Sequence, residues 1–317
     1  MNNDIDLIAR QSLANLLGRL LIAPPSAELW EEAAALPDLA VLMGESQPEL
    51  AIAYEYLLGR NVYPYESLYR DEELMLNTAS ADRVAAFYAE CGFTPDQSAG
   101  APDHVGIELL FLSRLIATEA TASATCDPEL VGWARRQTAA FLRQHPASWT
   151  PVWARAAQRL PGHPFYHRLV ELTIELLGSE LERLAAEPTV SRELIPLQPA
   201  QPASDETDLT ALIHHLITPV RAGIFLSRAD LTALARQLGF SIPISDRFTM
   251  TRTLFETAGE FEQATALITA LDTMLANEIE ALHQLGGAQI VWQPLLNPWL
   301  ERLHASRTLL AAGLGGS

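Results

Sequence analysis

Two stretches of this chain place polar side chains at spacings that could do chemistry. In Pro102-Asp103-His104-Val105-Gly106-Ile107-Glu108, an acid, an imidazole and a second acid follow a proline. A helix starting at Pro102 would put Asp103 at its dipole-favoured N-terminus and set His104 and Glu108 on one face. The same spacing suits a helix cap with a surface histidine. A hydrolase built on Asp103 and His104 would need a nucleophile motif such as Gly-x-Ser-x-Gly, and none accompanies them. The second stretch, Asn61-Val62-Tyr63-Pro64-Tyr65-Glu66-Ser67-Leu68-Tyr69, is too aromatic for an ordinary solvated loop.

Other candidates carry less. His163 and His167 have the i, i+4 spacing of a metal-binding pair, which leaves a helical metal-dependent enzyme as one alternative, but no glutamate follows His163 as in His-Glu-x-x-His. His214 and His215 point to different helix faces. The segment 228–258, with Ser227 before one helix and Gly239 after it, could mimic a helix-turn-helix regulator, although packing between helices is the simpler reading. Cys91 and Cys126 have no ligand or redox spacing around them. The glycines at 313–316 lack the strand-turn-helix context of a phosphate cradle, so no cofactor is expected.

Helices must position these groups. Apolar residues recur at helical spacing nearly throughout, and no stretch alternates as a half-buried strand does, so the chain is expected to be all-α. Ser26 after Pro24-Pro25 predicts a capped helix start. Helices are expected over 48–58 (ended by Gly59), from Ser80 to Gly92, from Pro102 with Val105, Leu109, Leu112 and Ile116 buried, and over 128–144, 151–160 and 164–186. The proline-rich, unpatterned stretch 196–206 reads as a linker. It would separate a first domain, 1–195, from a smaller α-helical domain, 207–317, with helices near 208–217, 228–238, 247–258, 261–285 and 298–310.

Composition narrows the classes. The 317 residues include 21 basic and 39 acidic side chains, for a net charge of −18. A nucleic-acid partner is therefore disfavoured. Every basic residue is an arginine, which removes lysine nucleophiles, Schiff bases and a Walker-type lysine. With 49% hydrophobic and 19% charged residues the chain can bury a sizeable core. The acidic start, Met1 to Asp6, has no basic region of the secretory kind, and no apolar run approaches a membrane span, so a soluble cytoplasmic protein is expected.

Three separated patterns together resemble the TorD/DmsD/NarJ family of redox-enzyme maturation chaperones. Pro64-Tyr65-Glu66-Ser67-Leu68-Tyr69 is similar to that family's Pro-Tyr-x-Ser-x-Tyr stretch. Pro102-Asp103-His104 through Glu108-Leu109-Leu110-Phe111 is similar to its Glu-x-Pro-Asp-His-x-x-x-Glu-Leu-x-Phe pattern, with Ala101 where an acid is common. Phe141, His145, Trp149 and Phe165-Tyr166 match its later helix, its His-x-x-x-Trp step and its paired aromatics. The resemblance implies a TorD-like helical chaperone rather than an enzyme. It also implies, as partners, a molybdenum-cofactor (molybdopterin-dependent) oxidoreductase subunit and its twin-arginine signal peptide, and it allows a homodimer. On that reading Asp103 pairs with a leader arginine, His104 and Glu108 shape the polar end of a groove, and Tyr65, Ser67, Tyr69 and Pro102 line its apolar side. An acidic protein would also attract a basic leader: the first 200 residues hold 14 arginines against 27 acids. The helical domain at 207–317 lies outside the resemblance.

Overall fold

The computed structural model describes residues 2–44, 46–96, 100–187 and 209–314. They form the all-α protein that the periodicity predicts, the nearest thing to a sheet being one isolated antiparallel bridge between Tyr65 and His104. Met1–Ala154 and Pro161–Ile195 make one compact unit, and Arg155–Leu160 with Pro196–Ser317 make a second. The expected linker at 196–206 lies outside the described residues.

In the first unit, α1 (Asn2–Ile22) ends ahead of Pro24-Pro25 and buries Leu16, Leu17, Leu20 and Leu21. Ser26 caps α2 (Ala27–Ala34), its hydroxyl accepting from the Leu29 amide, and α3 (Pro37–Ala40) follows. Helix α4 (Gln47–Tyr54) does not stop at Gly59 as expected. It widens into a π-helix over Glu55–Asn61 in which the consecutive Leu57 and Leu58 are both buried, and the Val62 amide closes the wide turn on the Leu57 carbonyl at 2.8 Å. The short α5 (Ser67–Arg70) leads to α6 (Ala79–Glu90). Asp71, rather than Ser80, anchors the start of α6, accepting from the Ser80 amide (2.8 Å) and hydroxyl (2.7 Å).

Helix α7 (Val105–Ala124) is central. Val105, Leu109, Leu112 and Ile116 are buried as predicted, and so are Ile107, Phe111 and Leu115 on the other side, where Phe87, Tyr88 and Phe141 form an aromatic core with Phe111. The crossing of α1 with α7 is set by two glycines: a Cβ at Gly18 would stand 2.7 Å from the Gly106 carbonyl, and a Cβ at Gly106 would stand 2.6 Å from that of Gly18. Helices α8 (Pro128–Gln144), α9 (Pro146–Arg159) and α10 (Pro164–Arg183) complete the unit, with the last turns of α9 counted in the second. Pro146 starts α9 ahead of the expected Pro151, which lies inside the helix. The buried carboxylates Glu119 and Glu180 tie the helices together, Glu119 to Arg135 (2.7 Å) and Arg183 (2.9 Å), Glu180 to Arg183 (2.7 Å) and Arg10 (2.8 Å). The arginine fork can serve two carboxylates at once, as Arg183 does, which an ammonium matches less well.

The second unit holds α11 (Leu209–Ile217), α12 (Pro219–Ala222), α13 (Arg228–Gln237), α14 (Arg247–Glu260), α15 (Ala264–Ala288), a 3-10 turn at Ile290–Trp292 and α16 (Gln293–Leu314). Ser227 and Asp230 form a reciprocal capping box at α13. Asp230 also receives Arg159, which reaches Glu278 of α15 as well. Gly223 ends α12 in the left-handed region at φ 80°, with no room for a Cβ against the Leu303 and Trp299 backbone of α16. No helix among the described residues is long and apolar enough to cross a membrane.

Candidate functional site

The Tyr63–Tyr69 stretch and the head of α7 are stitched together by backbone. The Val105 amide donates to the Pro64 carbonyl (2.9 Å) and the Glu66 amide to the Asp103 carbonyl (3.0 Å). Asp103 is not in the first turn of α7, because the helix begins at Val105 and Pro102 stands ahead of it. Its Oδ2 instead accepts from the Ser67 amide at 2.8 Å, capping α5. His104 is the N-cap of α7: Nδ1 accepts from the Gly106 amide at 3.0 Å, so the ring's proton resides on Nε2. The residue is buried rather than on the surface, and burial pushes it down to about 4, a neutral ring at pH 7. The Tyr65 ring meets the His104 ring edge-on, 4.8 Å between centroids.

Beneath this seam lies a buried polar cluster. Glu66 is wholly buried and its two oxygens are shared out: Oε1 accepts from Arg70 at 2.9 Å, and Oε2 lies 3.1 Å from His145 Nδ1. Arg70, also buried, donates further to Ser148 Oγ at 2.9 Å and to the Gln144 carbonyl. Burial works to raise the Glu66 carboxyl, but His145 and Arg70 overcome it and hold the group below the usual carboxylate range. Glu108 is the opposite case. It is wholly buried and neither oxygen makes a well-formed hydrogen bond; its neighbours are Glu66, Asp103 and the Trp149 indole, whose N–H works weakly to favour the ionised form. Burial, then the charge of Glu66, push it well above the usual range. Burial likewise raises Asp103, against the opposing hydrogen bonds of Ser67, and its Oδ1 accepts no hydrogen bond. Tyr88 closes the cluster from α6, burial and then the charges of Glu108, Glu66 and Asp103 holding its phenol well above the ordinary value. Tyr69 packs against Trp149 at 5.1 Å between ring centroids.

All seven residues singled out from the sequence thus meet in one place, in unequal positions. Ser67, Tyr69, Asp103 and Glu108 are at 0% exposure and His104 at 3%, while Tyr65 and Pro102 remain half-buried at the rim. Glu66, Arg70 and His145 were not among the candidates, though they hold the charges together. The i, i+4 spacing of Glu66 with Arg70 was visible in the chain, as was the His145-x-x-x-Trp149 step.

The alternatives find other uses. His163 Nδ1 accepts from the Phe165 amide at 3.2 Å as the N-cap of α10, and no group of three or more His, Cys, Asp or Glu side chains is placed to hold a metal among the described residues. Helices α13 and α14 are separated by residues 238–246, longer than the three- or four-residue turn of a helix-turn-helix.

Residues 24–155 match the family model described as nitrate reductase delta subunit. The match covers less than half of the chain, contains every residue of the buried cluster, and ends before the second unit's helices α11 to α16. No curated protein and no solved structure matches the chain.

Proposed function

We propose that this protein is a maturation chaperone for a redox enzyme. The observation that carries the reading is that the stretches 64–69, 102–108 and 145–149, far apart in sequence, converge on one buried polar cluster within the span matching the nitrate reductase delta family. We take the client to be a molybdopterin-dependent oxidoreductase subunit. Its twin-arginine leader would be held at this site in the cytoplasm, keeping the apo-enzyme from export until its cofactor is inserted. On this reading the protein is not itself an enzyme, needs no cofactor, binds no nucleic acid, and serves as a monomer or homodimer.

A leader of arginines followed by an apolar stretch has matching chemistry here. The half-buried Tyr65 and Pro102 offer the apolar rim, with Ser67 and Tyr69 behind them. Asp103 Oδ1, which accepts no hydrogen bond, is an acceptor suited to a guanidinium once the 62–71 segment lifts, and the arriving positive charge would draw the buried Glu108 carboxyl back toward its ionised form, with His104 fixing the polar end. Asp103→Asn is expected to weaken binding of a twin-arginine leader peptide by about tenfold or more in calorimetry, corresponding to loss of ~1.5–3 kcal/mol from a charge-assisted hydrogen bond. Unchanged affinity would remove Asp103 from the site.

A further inference from the structure

We propose that the loop between α5 and α6, residues 72–78, is a docking surface for the apolar stretch of an arginine-bearing leader; the proposal rests on the function proposed above. The loop is closed at its base. Asp71 accepts from the Thr78 hydroxyl and from the Ser80 amide (2.8 Å) and hydroxyl (2.7 Å), and Arg83 reaches the same carboxylate at 3.3 Å. Residues 72–77 therefore stand out from a fixed neck, as in compact surface loops whose ends meet. Two residues near the tip lie in the left-handed region, Leu74 at φ 53° and Asn77 at φ 59°. Asparagine tolerates that backbone better than leucine does, so the strain falls on Leu74, and the Asp71 neck helps to hold it. Between the two stand Met75 and Leu76, turned to solvent at 65% and 42% exposure. Neither joins the core.

Charge and position name the occupant. A thioether beside a leucine offers an apolar contact that adapts to different partner side chains. The charges around it are of one sign: Glu72 and Glu73 precede the tip and Asp82 follows it, whereas the nearest arginines on either side, Arg70 and Arg83, are committed to Glu66 and Asp71. A segment that joins arginines to an apolar run complements this surface, and an acidic one would be repelled. The loop also grows out of the candidate site. It leaves α5 directly after Arg70, the cation of the buried cluster, and leads into α6, whose Tyr88 hydroxyl donates to the Pro102 carbonyl at 3.0 Å. Asp103 caps the start of the one-turn α5, so a leader whose arginine is held at Asp103 meets Met75 and Leu76 past that helix's other end.

Calorimetry of the full chain with two synthetic peptides tests this. One is a twin-arginine leader; the other is the same leader with its apolar stretch replaced by serine and asparagine. Met75→Ser together with Leu76→Ser, both at the surface, should weaken binding of the first peptide by about tenfold or more and leave the second unchanged within about twofold. Asp103→Asn, by contrast, should weaken both. An equal effect of the serine pair on the two peptides, or no effect on a first peptide that the wild type binds, overturns the loop as the docking surface. Hydrogen exchange of the wild type gives a reading that needs neither variant nor second peptide. Saturation with the leader should slow amides of 72–78 by about fivefold or more. Protection at 64–69 and 102–108 without protection at 72–78 overturns the loop and leaves the proposed function standing. Binding of neither peptide by the wild type overturns both.

Discussion

At the residue scale, several buried polar groups have defined partners. His104 folds with its ring neutral, displaced by burial from 6.5 to about 4. A depressed histidine contributes stability that is complete above about pH 6.5 and is lost as pH falls toward 4. His104→Asn keeps an N-capping side chain but cannot titrate, so the wild type should lose about 3 kcal/mol more than the variant across that window in urea unfolding. Parallel pH profiles would show that the imidazole is not the titrating group. Glu66 makes a sharper case. Glu66→Leu would strand Arg70, itself buried, beside His145, and should cost ~3–5 kcal/mol in the same measurement. A loss below ~1 kcal/mol would mean that Arg70 finds another acceptor or water. The sequence could not single out Glu66, which fills the variable position of its motif, because its partner His145 lies 79 residues away and no local period links them.

At the element scale, the close approach of α1 to α7 fixes the base on which the seam sits. Gly18→Ala would improve intrinsic helix propensity by about 1 kcal/mol. The new Cβ, 2.7 Å from the Gly106 carbonyl, must nevertheless push two backbones apart, and the net effect should be destabilisation by ~1–3 kcal/mol. Gly132→Ala in α8 is the control: its Cβ would meet only the flexible end of Arg136, at 3.0 Å, so the change should be neutral or stabilising. If both changes shift the thermal midpoint alike, the glycine contact does not set the crossing. Helices were largely legible because their apolar periods survive in the chain, as at Val105, Leu109, Leu112 and Ile116. The starts at Pro102, Pro151 and Pro298 were misplaced because proline favours a first turn but does not require one. Pro102 stands before its helix, while Pro151 and Pro298 lie inside theirs. The π-helix at Glu55–Asn61 left no local signal, since what it achieves is the burial of Leu57 and Leu58 together.

At the scale of the whole molecule, an arginine-only chain of net charge −18 spends several arginines on internal ion pairs and leaves an acidic surface field. Association with a basic peptide should therefore slow as salt rises, as stopped-flow rates at two ionic strengths would show; a salt-independent rate would exclude steering. The most direct measurement for the proposed function is calorimetric titration of the full chain with a twin-arginine leader peptide and with the same peptide carrying glutamines for both arginines. Saturable one-to-one binding of the first, weakened by at least about a hundredfold in the second, is the predicted result. Equal affinity for the two peptides, or no binding of either, would contradict it.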